Sequence, residues 1–177
     1  MITIDFETYY DKDFSLTKLT TEEYVRDPRF EVIGVAVKVN DGVTEWFSGD
    51  FQQTAIWLRQ FDWENQFVLA HNTMFDSAIL SWHFGLKPKA WLDTLCMARA
   101  VLGVSTSMSL AKLAEHFGLG VKGTEVNDAK GYRRADFTPA HLALYGEYCR
   151  NDVDLTYKLY QELNAGFPTK EKKLIDL

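Results

Sequence analysis

Cysteine is almost missing from this chain: there are two in 177 residues, Cys96 and Cys149. They have neither the density of a secreted disulfide scaffold nor the short spacing of a thiolate metal site, so both are read as reduced core thiols. An excess of basic charge is missing too. With 19 Lys and Arg against 25 Asp and Glu, the formal charge is -6 and the pI about 5.2, and no overall basic character draws the chain to nucleic acid. Nucleic acid stays open as a partner, because carboxylates that hold metal ions carry clustered negative charge that the ions offset. Nowhere do about 18 apolar residues run together, and MITIDFET lacks the basic-then-apolar order of a secretion signal. The expectation is a cytoplasmic protein with no membrane span. Internal repeats and low-complexity tracts are also lacking. What the chain has in quantity is apolar surface, 46% hydrophobic and 14% aromatic residues, enough to bury one sizeable core in one domain spanning residues 1–177.

ITIDFET and FEVIGVAVKV are rich in β-branched residues and read as strands. VTEWFSG follows after NDG, a hairpin signal, so three strands open the domain. QQTAIWLRQF has apolar residues at helical spacing, FVLAHN reads as a short strand feeding a loop, and TMFDSAILSWHFG reads as a helix stopped by Gly85. AWLDTLCMARAVLG is a strand running into a helix, and SLAKLAEHFG an amphipathic helix ending at Gly118. Residues 121–137 have no period and form the one long loop. From Thr138, an N-cap followed by Pro139 at the first helical position, the chain is helical through TPAHLALYGEYCRNDVDLTYKLYQELNAGF. This order predicts an α/β fold, a mixed sheet with flanking helices. The apolar ending LIDL, after Pro168 and a charged run, leads to the expectation that the natural chain continues.

Three stretches carry chemistry. On a strand, side chains alternate faces, so Asp5 and Glu7 point one way and Ile4 and Phe6 the other. Two carboxylates on one face of a buried strand repel each other unless protons or cations compensate, and hard divalent ions that choose oxygen ligands are the usual compensation. HNTMFD places Asn72 and Asp76 four apart where FVLA meets the next helix. YCRND puts Tyr148 and Asp152 four apart, on one face of the long helix.

A D-x-E on the first strand, an N-x-x-F-D element mid-chain and a Y-x-x-x-D on a late helix, in that order, resemble the DEDDy branch of the 3′-to-5′ exonucleases. The opening DFET and closing FPTKEKKLIDL look most like the proofreading domain at the front of a phage-type family A DNA polymerase. The resemblance implies a ribonuclease H-like fold with a mixed five-stranded sheet, and two divalent ions, Mg²⁺ or Mn²⁺. It implies that Asp5, Glu7 and Asp152 hold one ion, and that Asp5 holds the other with Asp76 as an outer partner. Tyr148 would orient the attacking water, a phenol of pKa about 10 being a poor base at neutral pH. Asn72 and the backbone around Phe6 and Thr8 would touch the last nucleotides of a single-stranded DNA 3′ end, with a polymerase domain covalently linked. An RNA-trimming exonuclease of the ribonuclease D kind shares the signature, and a silent nucleic-acid-binding module is a further alternative.

Other residues are read more plainly. Lys122, Lys130, Arg133 and Arg134 in the long loop fit either a contact to the entering strand or a solvated loop. Arg150, on a different face of the helix from Tyr148, could touch phosphate. His71 is a satisfied loop histidine or a substrate contact, His141 a helix-surface residue, and Asp93 a helix start or an outer support of the site. Asp154 is turned about 200° from Asp152 on a helix and is no ligand. Phe75 and most of the Trp residues at 46, 57, 63, 82 and 91 are assigned to the core.

Overall fold

The computed structural model describes residues 1–103, 107–123 and 129–175. Among them five strands form one sheet: β1 (Ile2–Thr8), β2 (Val32–Val39), β3 (Glu45–Phe47), β4 (Phe67–Ala70) and β5 (Ala90–Asp93), in the order β3-β2-β1-β4-β5. β1 lies at the centre. It pairs antiparallel with β2 and parallel with β4, which pairs parallel with β5, so the sheet is mixed as expected. The helices are α1 (Thr21–Arg26), α2 (Phe51–Leu58), α3 (Thr73–Ala78), α4 (Thr94–Leu102), α5 (Leu110–Phe117), α6 (Pro139–Asn164) and α7 (Thr169–Ile175). None is long and apolar enough to cross a membrane.

Strand alternation puts the sheet to two uses. Ile2, Ile4 and Phe6 face one side and join Val35, Val37, Val68, Ala70, Leu58 and Leu80 in the main core, under α1, α2 and α3. Burying each of these Ile, Phe, Val and Leu side chains contributes roughly 1.5–3 kcal/mol. The other face of the sheet receives α6, through Ala36, Cys149 and Val153. Asp5 and Glu7 therefore point at a helix rather than at solvent. A bulge sharpens this arrangement: Glu7 pairs with Gly34 and Thr8 with Val32, leaving Ile33 as the extra residue. Ile33 thereby packs with Tyr145 and Tyr148 of α6, while Val35 stays with the main core.

The close approach of α6 depends on two residues without side chains. The Trp46 indole lies across Gly34 and Gly146, where an added Cβ would stand 2.2 and 2.6 Å from its ring atoms. Because the ring is pinned on both sides, it cannot move away from either. Gly146→Val is expected to overpack this contact and destabilise the fold by about 1–3 kcal/mol, or roughly 3–10 °C in Tm by thermal unfolding. An unchanged Tm would show that α6 has room to shift.

Several expectations change. α1 was not foreseen; a capping box of Thr20 and Glu23 starts it, and it separates β1 from β2. The helix expected over TMFDSAILSWHFG begins as α3 but widens to a π-helix over Ile79–His83 before Gly85 at φ +69°. Cys96 is exposed and only Cys149 is a core thiol. On α4 the buried residues are Thr94, Met97 and Ala98, and helical spacing turns position 96 outward. Most of the Trp residues belong to the core as expected, Trp63 buried and Trp46, Trp57 and Trp91 partly buried against it, whereas Trp82 is half exposed with the Arg26 guanidinium over its ring. His141 is half-buried against the rings of Tyr132 and Phe137 rather than on the open surface. Within the long loop, Arg134–Asp136 make a 3₁₀ turn; its residues 124–128 lie outside the described residues, as do Asp176 and Leu177 of the LIDL ending.

Candidate active site

Asp5 and Glu7 emerge from β1, and a carboxylate oxygen from each lies within 4.8 Å of the other and of Cys149 Sγ. Asp76 arrives from α3. Its Oδ1 accepts a hydrogen bond from the Phe6 backbone N–H at 3.1 Å, which ties the first turn of α3 to the residue between the two β1 acids. Asp152 comes from α6 and is 4% exposed. Tyr148, one turn earlier on α6, lies near enough to Asp152 for that charge to add to burial in pushing its phenol up. The structure thus brings together all four acids and the tyrosine.

The junction that delivers Asp76 is set by a fifth acid. Asn72 turns the chain between β4 and α3 in the left-handed region, φ +74°, where asparagine is tolerated. Asp93, at the end of β5, accepts the backbone N–H groups of Asn72 and Thr73 at 3.0 Å each and the Thr73 hydroxyl at 2.9 Å. It also caps α4 through the Leu95 N–H at 2.8 Å. One buried carboxylate therefore holds two helix starts, which makes Asp93 both of the things proposed for it: a cap and an outer support. His71 is a satisfied loop residue, its Nε2 donating to the Met108 carbonyl at 2.9 Å and its Nδ1 2.8 Å from Thr94 Oγ1.

Sequence reading missed three members of the cluster. Tyr145 donates to Glu7 Oε2 at 2.7 Å, and its ring lies parallel to that of Tyr148 with centroids 6.1 Å apart. Cys149 Sγ donates to Asp5 Oδ2 at 3.3 Å. Lys122 makes an ion pair with Asp152 and lies over the Tyr148 ring, 5.1 Å from its centroid. A signal for the first two was present: Tyr145, Tyr148, Cys149 and Asp152 fall at i, i+3, i+4 and i+7, one stripe of a helix. Lys122 gave none.

The electrostatics follow from burial. Asp5 is pushed up to about 7, first by desolvation and then by the Asp152 charge, against the pull of Lys122 and the Cys149 thiol. Glu7 is held well above the usual range by burial and then by Asp5, with the Tyr145 hydroxyl opposing. Burial and then Asp5 do the same to Asp76, opposed by the Phe6 N–H. Burial also pushes up the Cys149 thiol and the Tyr148 phenol, the nearest carboxylates adding to the effect. Both hold their protons at neutral pH.

Of the remaining candidates, Phe6 is buried with its ring stacked on Phe84 and its N–H engaged by Asp76. Thr8 is buried with its hydroxyl 2.9 Å from Tyr24 Oη. Asn72 is exposed and its side chain caps no helix. Arg133 is committed to structure, donating to Glu31 at 2.8 Å with its guanidinium 4.0 Å over the Tyr9 ring. Arg150 pairs with Glu147 at 3.0 Å, and Asp154 accepts from Lys38 at 3.1 Å and Thr44 at 2.6 Å, away from the cluster. Phe75 is partly buried against the main core.

A mixed five-stranded sheet with helices on both faces and clustered acids at its central strand is the ribonuclease H-like arrangement of nucleases. Residues 27–166 match the family model described as 3′-5′ exonuclease, and the chain belongs to that family. Asp5 and Glu7 precede the matched range. No curated protein matches the sequence. Among solved structures, NrnC from Brucella melitensis, also solved with bound Mg²⁺ and with pGG, has a TM-score of 0.70 and 17% identity over 98% of this chain and 78% of that one. RNase D from Trypanosoma brucei, also solved with RNA U12, has a TM-score of 0.67 and 18% identity over 92% of this chain and 56% of its own. A family B DNA polymerase from Pyrobaculum calidifontis has a TM-score of 0.65 and 20% identity, over 92% of this chain and 24% of its own.

Proposed function

We propose that this chain is a divalent-metal-dependent exonuclease that removes nucleoside 5′-monophosphates from the 3′ end of single-stranded DNA, as the proofreading domain of a polymerase of the phage family A kind. The observation that carries the reading is the convergence of Asp5, Glu7, Asp76 and Asp152 with Tyr148 at the central strand. The donor set fits hard ions such as Mg²⁺ or Mn²⁺, being made of oxygens. Burial and repulsion that raise Asp5, Glu7 and Asp76 amount to a deficit of positive charge. Asp5, Glu7 and Asp152 would hold one ion, and Asp5 with Asp76 the other. Ions bound there lower the pKa of a water and offset charge on the phosphoryl and leaving oxygens.

The chain's own residues supply the geometry. Tyr148 keeps its proton and so is no base; its hydroxyl holds the water in line, steadied by Asp152 and by the parallel Tyr145 ring. Tyr145 and the Cys149 thiol fix the rotamers of Glu7 and Asp5, and Asp93 fixes the approach of Asp76. Asn72, exposed at the start of α3, would meet the terminal nucleotide.

Tyr148→Phe is expected to slow single-turnover hydrolysis about 10- to 100-fold, the range for removing a residue that orients a reacting group, while Mn²⁺ uptake measured by calorimetry stays unchanged. A wild-type rate would remove Tyr148 from this role.

A second reading, RNA trimming, is favoured by the likeness to RNase D and NrnC, solved with RNA U12 and pGG. The polymerase link is supported by the likeness to one segment of a polymerase chain. Digestion of 5′-labelled DNA and RNA oligomers of one sequence, with Mn²⁺, with EDTA and with Asp5→Asn, tests both. A DNA ladder shortening from the 3′ end and lost in both controls supports the first reading. A strong preference for RNA replaces it with the second, and no cleavage of either polymer overturns both.

A further inference from the structure

The segment after α5 is built onto α6 at three successive points. Gly120, at φ +142°, seats against Leu155, where an added Cβ would stand 3.2 Å from its Cδ2. The Asn151 side-chain amide donates to the Val121 carbonyl at 3.0 Å. Lys122 then turns inward to pair with Asp152, its side chain 25% exposed against 5% for the carboxylate. Its ammonium also lies over the face of the Tyr148 ring. These contacts hold the ammonium against the Asp152 carboxylate and the Tyr148 ring, near enough to Asp5 and Glu7 for its charge to lower both carboxyls.

We infer that Lys122 is the resident counter-cation of the metal-free cluster, a positioning residue that keeps Asp152 and Tyr148 in place and must withdraw when an ion binds there. The inference rests on the reading of the cluster as a metal site. An ammonium paired with Asp152 and a divalent ion held by the same carboxylate would repel each other, and both require the Asp152 charge. Whatever free energy the ion pair contributes to the metal-free protein therefore opposes metal binding by the same amount. The partial exposure of Lys122 gives it a way out to solvent. In this role Lys122 tunes how much metal the site needs, so that the cluster is neither left unpaired when empty nor occupied at trace metal levels.

Calorimetric titration of Mn²⁺ into metal-free wild type, Lys122→Met and Asn151→Ala tests this, with thermal unfolding of each metal-free protein alongside. Lys122→Met is expected to bind Mn²⁺ about tenfold more tightly, as removal of a competing ion pair worth one decade requires, and to melt lower when metal-free. Asn151→Ala, which keeps every charged group but frees the Val121 backbone, is expected to move affinity in the same direction by a smaller factor; it decides the matter if Lys122→Met does not fold. Unchanged or weaker Mn²⁺ binding by the variants, with normal binding by wild type, overturns the role of Lys122 alone. Absence of Mn²⁺ binding by wild type overturns the metal site itself, and this inference with it.

Discussion

Asp5→Asn is expected to lower 3′-end hydrolysis by about a thousandfold or more while leaving the metal-free protein at least as stable as wild type. Asp5 is the one acid assigned to both ions, so its loss weakens both at once. Metal-assisted displacement derives several kcal/mol from its ions, and each 1.36 kcal/mol is a factor of ten. The stability half follows from the environment of the residue. Its carboxylate is raised to about 7, first by burial and then by Asp152, so the neutral amide relieves a repulsion that the folded protein carries at neutral pH. Single-turnover digestion and thermal unfolding, run on the same preparation, check the two halves. A variant that retains a tenth of the wild-type rate would remove Asp5 from its central role. A variant that melts well below wild type would show that the rate fell through misfolding.

Alanine at the other acids is not an equivalent test, because it leaves their partners unpaired, whereas the amide oxygen of Asp5→Asn can still accept from the Cys149 thiol. Alanine at Asp76 would leave the buried Phe6 N–H without its acceptor, a penalty of about 1–3 kcal/mol. Alanine at Asp152 would strip the counter-charge from Lys122. Loss of activity in either variant mixes chemistry with folding, whereas at Asp5 the two effects have opposite signs.

The parts of the site legible in the sequence are those whose geometry is local. Asp5 and Glu7 share a face because strands alternate, and Tyr148 and Asp152 share one because helices repeat. Asp76 and Asn72 could be placed through the strand-to-helix junction. The sheet itself was legible from β-branched runs and from the order of strands and helices. The remainder depends on contacts between distant elements. Nothing around Lys122 shows that Asn151 will draw the Val121 backbone onto α6. Nothing around Gly146 shows that Trp46 will lie against it. The bulge at Ile33 exists because β1 and β2 slip by one residue past Glu7, a matter of pairing rather than of either strand alone. Cys96 departs from the cysteine preference for burial for a simpler reason: helical spacing on α4 turns it away from the buried Thr94, Met97 and Ala98.

Metal-free protein is expected to melt markedly lower at pH 8 than at pH 5, and Mn²⁺ at pH 8 is expected to restore most of the loss. In the unfolded chain an Asp titrates near 3.9, while in the fold Asp5 titrates at about 7. Between those values the folded state holds more protons than the unfolded state, so stability falls as pH rises. The stabilising contribution of the protonated form is fully present below the unfolded value and lost by the time the pH has passed 7. For Asp5 alone the full loss is on the order of 4 kcal/mol, of which roughly 3 kcal/mol falls between pH 5 and pH 8, or about 5–10 °C in Tm for a chain of this size. Glu7 and Asp76, raised by the same causes, act in the same direction. Divalent ions reverse the sign, because they bind the ionised acids and make the deprotonated state the favoured one. Thermal unfolding across pH 5 to 8, with EDTA and with Mn²⁺, measures both slopes. A flat profile without metal would mean that Lys122, Tyr145 and the Cys149 thiol already neutralise the cluster, and the charge deficit that argues for metal would be gone.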